Sequence, residues 1–89
     1  MVRPVTYSLY IDDEEYIILI TPVIQRLPGG EMYATGVYKL SDRGLNMGDI
    51  VFDDSMKQWE YTGLGDLTHK EAEEIAGFIR GYKDADDLI

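Results

Sequence analysis

The stretch "EYIILITPVI", residues 15–24, is apolar on both of its alternating sides. Tyr16, Ile18, Ile20 and Ile24 fall on one side, and Ile17, Leu19 and Val23 on the other. Side chains alternate across a β-strand, so the run reads as a strand with no solvated face. A chain of 89 residues is a single small domain, residues 1–89, with area for one core. The remaining sequence offers one convincing helix, which leaves open what covers the second side.

Upstream, "VTYSLYI" (5–11) alternates Val5, Tyr7, Leu9 and Ile11 against Thr6, Ser8 and Tyr10, the pattern of a strand. "DDEE" (12–15) is its turn. A two-residue loop at Asp13-Glu14 would set Ile11 opposite Tyr16, Leu9 opposite Ile18 and Tyr7 opposite Ile20. Downstream, Pro22 lacks an N–H and marks an edge or a bulge. "LPGGE" (27–31) reads as a three-residue hairpin loop, with φ preset at Pro28 and Gly30 in the left-handed position. That register places Ile24 opposite Ala34, Ile20 opposite Tyr38 and Ile18 opposite Leu40, on a third strand at 31–40 with a bend at Gly36. "SDRGLNMG" (41–48) reads as a longer connection and "DIVFD" (49–53) as a short strand. "DDSM" (53–56) is a turn, and "KQWEYTG" (57–63) a fifth strand.

The strongest local signal is "LTHKEAEEIAGFIRG" (67–81). Thr68 followed three residues later by Glu71 is a capping box. Ala72, Ile75, Ala76 and Ile79 form an apolar stripe at helical spacing, flanked by Phe78 and Tyr82, and Gly81 is the expected stop. The tail at 84–89 is expected to fray. The fold class is therefore α+β: a five-stranded antiparallel β-meander, open or curled into a partial barrel, with one C-terminal amphipathic helix packed on one face.

Seventeen acidic residues against eight basic ones give a formal charge of −9, a field that repels phosphate backbones and anionic membranes. No nucleic acid or membrane partner is therefore expected. Strand aromatics such as Tyr10, Tyr33, Trp59 and Tyr61 could stack bases, but no basic groove accompanies them. Absence of cysteine excludes disulfides and thiolate chemistry and points to the cytoplasm. Neither a signal peptide nor a membrane span is read in the sequence.

Catalytic chemistry finds little support. His69 is the only histidine and sits at a helix start, where exposure is expected and no zinc set can be completed. Ser8, Ser41 and Ser55 lack a nucleophile's context. "GLGD" (63–66) lacks the lysine and spacing of a phosphate loop. Asp53, Asp54, Asp84, Asp86 and Asp87 could gather at one end of the meander, but "DADD" does not have calcium-loop spacing. No catalytic, cofactor-binding or metal-ligating residue is assigned, and no cofactor is expected.

The second side of the sheet supplies the functional candidates. Tyr10, Ile17, Leu19, Val23, Tyr33 and Val37 form a surface with an apolar middle that one short helix cannot share with the core. Either the sheet curls until its ends and loops cover that surface, or another chain does. The second alternative makes the protein a non-enzymatic binding or adaptor domain that contacts a protein partner, a homodimer being the commonest form. An acidic inhibitor imitating nucleic acid in a basic cleft is the alternative function.

Overall fold

A computed structural model of the chain describes residues 1–64 and 67–82. Five strands, β1 Val5–Ile11, β2 Glu14–Arg26, β3 Met32–Asp42, β4 Leu45–Phe52 and β5 Trp59–Thr62, precede one helix, α1 His69–Gly81. All neighbouring strands pair antiparallel in the order β1-β2-β3-β4-β5. The sheet is open, with β1 and β5 at its edges. The tail at 84–89 and Gly65-Asp66 lie outside the described residues. Among the described residues no helix is long and apolar enough to cross a membrane.

The core sits between one face of this sheet and α1. Leu9, Ile18, Ile20, Tyr38, Leu40, Ile50 and Phe52 are buried against Ala72, Ile75, Ala76 and Ile79, with Leu67 closing one end. The helix begins as its sequence requires. Thr68 Oγ1 accepts from the Glu71 N–H at 3.2 Å, and Glu71 Oε1 accepts from the Thr68 N–H at 2.8 Å. Side-chain hydrogen bonds also tie α1 to the sheet. The Tyr7 hydroxyl donates to Glu74 Oε2 at 2.6 Å, and Arg80 donates to the carbonyls of Met56 and Lys57 at 3.1 and 3.2 Å. Gly81 is the last helical residue rather than a left-handed stop; the chain leaves through an extended Tyr82.

Three features of the register differ from the sequence-based expectation. The first loop is Asp12-Asp13, both left-handed at φ 51 and 68, so Ile11 faces Glu14, Leu9 faces Tyr16 and Tyr7 faces Ile18. A two-residue turn with two positive φ angles favours aspartate over glutamate, which moves the loop back by one residue. The register then changes by two, so each side chain keeps its face.

The second difference is a bulge. Ile24 faces Ala34 as expected, but Ile20 faces Leu40, because β3 spends two more residues than β2 across Pro22–Ile24. Gly36 makes this possible at φ 83, where an added Cβ would lie 2.9 Å from the Phe52 carbonyl oxygen. The Thr35 hydroxyl donates to the Val23 carbonyl and accepts from the Val37 N–H, supplying bonds where the ladder is interrupted.

The third is the expected connection at 41–48, which is a tight hairpin. β3 continues to Asp42, Arg43 and Gly44 turn at φ 52 and 82, and β4 starts at Leu45. A one-residue bulge follows at Gly48, φ 95, packed beneath the Tyr61 ring; the Tyr61 hydroxyl donates to the Met47 carbonyl at 2.6 Å. Arginine at the first turn position carries no turn signal, which is why the hairpin is hidden in the sequence.

Candidate protein-binding surface

The face of the sheet opposite α1 carries the side chains that alternate with the core. On β1 and β2, Thr6 pairs with Leu19, Ser8 with Ile17 and Tyr10 with Glu15. Across β3, β4 and β5 the rows continue as Thr21–Lys39–Asp49–Thr62 and Val37–Val51–Glu60. Ile17 is 47% exposed, Leu19 39% and Tyr10 66%, whereas Ile18 and Ile20 between them are 0% exposed. Neither the sheet's ends nor its loops cover Ile17 and Leu19. Val23 and Val37, both within the stretch where β2 and β3 lose their register, are half-buried.

The six candidates do not form one patch. Tyr10, Ile17 and Leu19 cluster on β1 and β2, and Val37 continues toward Val51. Tyr33 is placed elsewhere. It pairs with Gln25, eight residues beyond Ile17 along β2, a separation of roughly 26 Å at strand rise. Between Thr21 and Arg26, β2 has passed its last β1 partner; between Met32 and Gly36, β3 has passed its last β4 partner. The β2–β3 hairpin thus projects as a two-stranded arm whose large exposed apolar side chains are Leu27, Met32 and Tyr33. Tyr33 borders a cleft of about 350 Å³ shared with Thr35, Tyr38, Asp53, Asp54 and Met56.

Sequence reasoning omitted Val51 and Asp49 from this face. Their alternation with Ile50 and Phe52 in "DIVFD" is the signal that could have placed them. Trp59 and Tyr61, weighed there as stacking platforms, are half-buried and packed against the core on the α1 side. The Trp59 ring lies stacked on His69, centroids 5.4 Å apart.

Charge is distributed unevenly around the surface. The β1–β2 and β3–β4 turns lie at the same end of the meander and bring together Asp12, Asp13, Glu14, Glu15 and Asp42, with Arg43 beside Asp42 at 3.9 Å. Two tyrosines are tied into this end: Tyr10 donates to Glu15 and Tyr16 donates to Glu14, each at 3.0 Å. Both phenols are pushed up from their ordinary values, first by these hydrogen bonds and then by carboxylate charge, to which Asp42 and Asp12 add at Tyr16.

At the opposite end, Asp53 is occupied with its own turn. Its Oδ1 accepts from the N–H groups of Lys57 and Gln58, and its Oδ2 accepts from the Ser55 hydroxyl. The bond from Gln58 is foremost among the causes that lower its pKa. Asp84, Asp86 and Asp87, weighed with Asp53 and Asp54 as a cation site, lie outside the described residues. His69 is exposed, with Nε2 3.8 Å from Glu73.

Protein-family models, curated proteins and solved structures give no match. The sheet's uncovered face is the geometry from which function must be read.

Proposed function

We propose that this chain is a non-enzymatic, small acidic binding domain of the cytoplasm that acts through protein contacts, and that the face opposite α1 stacks on the same face of a second copy. The observation that carries this reading is the exposure of Ile17, Leu19 and Tyr10 directly behind a fully buried core. Two antiparallel sheets stack well about 10 Å apart, and Tyr adds a large contact area with a usable hydroxyl. A two-fold stack presents the same apolar centre from both sides, and the polar Ser8, Thr6 and Thr21 tolerate its margins. Full burial of an Ile or Leu contributes roughly 1.5–3 kcal/mol, and these residues are already half-covered. The gain per residue is thus roughly 1 kcal/mol, so association is modest and depends on concentration.

Ile17→Glu is the test. Placing a carboxylate at the centre of the stack on both copies should halve the solution mass at concentrations where the unaltered chain is associated. Far-ultraviolet circular dichroism should be unchanged. An unaltered mass would remove this face from the interface.

A second reading draws on the acidic end formed by Asp12, Asp13, Glu14, Glu15 and Asp42: insertion of that end into a basic cleft of a target protein. Strong retention on an immobilised basic protein, lost at moderate salt, is the result that would favour it. Passage without retention would count against it.

A further inference from the structure

The two edges of the sheet are built differently. β5 is four residues long and includes Glu60. Trp59 at its start lies under the His69 ring. β1 is seven residues long, pairs with β2 without interruption, and contains neither proline nor a bulge. It is also the only strand or helix among the described residues that carries no charged side chain. Natural sheets prevent edge-to-edge pairing with charge, proline, bulges or shortness. β1 has none of these within its span.

We infer that β1 pairs antiparallel with β1 of a second copy about a two-fold axis through Ser8, giving a continuous ten-stranded sheet. This contact is made by the backbone edge of β1; it borders the stacked face at Thr6, Ser8 and Tyr10 but does not require the stack. Chain charge narrows the choice of occupant. Two chains of −9 each approach most readily where charge is low, and β1 carries no charged side chain.

The register follows from the alternation. Centred on Ser8, the pairing sets Val5 opposite Ile11 and Tyr7 opposite Leu9 on the core side, with Thr6 opposite Tyr10 and Ser8 opposite Ser8 on the other. A register shifted by one residue would set hydroxyls against the apolar side. The same centring continues to Arg3 opposite Asp13 and Pro4 opposite Asp12, where the chain turns. Arg3, Asp12 and Asp13 are exposed, so each arginine meets the acidic turn of the other copy. Two such pairs flank the seam. Phe78, 4.7 Å from the Tyr7 ring, stands beside it on the helix side.

Cysteine crosslinking tests both contact and register, since the chain has no cysteine of its own. Ser8→Cys places two thiols directly opposite and should form a disulfide dimer under mild oxidation. Thr6→Cys and Tyr10→Cys alone each put identical thiols four residues apart, about 13 Å, beyond disulfide reach. Each should therefore crosslink roughly tenfold more slowly than Ser8→Cys, while their equimolar mixture crosslinks readily. The Ser8→Cys reaction should persist when Ile17→Glu is added. That result would support the edge contact even if the stacked face fails its own test. Equal rates for Ser8→Cys and Thr6→Cys would overturn the inference, as would loss of the reaction on adding Ile17→Glu.

Discussion

Ile17 and Ile18 are adjacent in the chain and identical in kind, yet one is half-exposed and the other has no accessible surface. The same holds for Leu19 and Ile20. Hydrophobicity therefore does not decide which side of β2 becomes core. The decision belongs to α1, whose buried stripe of Ala72, Ile75, Ala76 and Ile79 is narrow and single-sided. A helix of 13 residues is about 20 Å long, close to the breadth of five strands at about 4.8 Å spacing. It covers one face and has nothing left for the other.

Truncation should divide the two faces sharply. Ile18→Ala opens a cavity among fully buried side chains and should cost about 2–5 kcal/mol in denaturant unfolding. Leu19→Ala, one residue away, should cost the unassociated chain less than about 1 kcal/mol. Equal losses would dissolve the distinction.

Gly36 keeps the faces in phase across the bulge. Gly36→Ala adds a left-handed penalty of about 1–2 kcal/mol and a close approach to the Phe52 carbonyl, so a total near 2–4 kcal/mol is expected from urea melts. The helix cap is a smaller lever on the covered face alone. Thr68→Ala should lower stability by about 1 kcal/mol without changing association.

The smallest effect is a pH dependence. Tyr7 joins β1 to α1 through Glu74, and that hydrogen bond, with burial and the Glu74 charge, raises the phenol from an ordinary 10.0 to about 12. Below about pH 10 the phenol is protonated in folded and unfolded chains alike, and its contribution is complete. As pH rises from 10 to 12 the unfolded chain releases the proton first, and the contribution is lost. Tyr7→Phe should therefore flatten the stability curve in that window. An unaltered slope would show that the bond does not couple helix to sheet.

Much of this fold is legible in residue types. The alternation in "VTYSLYI" and the capping box at Thr68 and Glu71 specify a strand and a helix start, and both occur as read. The five-stranded order and the buried helix stripe follow too. Loop positions were harder, since they depend on which residues tolerate positive φ. Asp12-Asp13 displaced the first turn by one residue, and Arg43 concealed the third hairpin entirely. The first displacement preserves the faces, as does the two-residue offset across Pro22–Ile24, because a register change of two leaves alternation intact. For the candidate surface, Ile17 and Leu19 were recoverable from parity alone. Tyr33 was not, because its distance from Ile17 depends on where β1 stops along β2.

Whether the second face is covered by another copy decides between these readings, and light scattering over a concentration series measures that directly. Mass should rise above that of one chain with concentration, and Ile17→Glu should halve the associated mass while leaving the fold unchanged. A mass that Ile17→Glu does not alter, or a single-chain mass at every concentration, would contradict it.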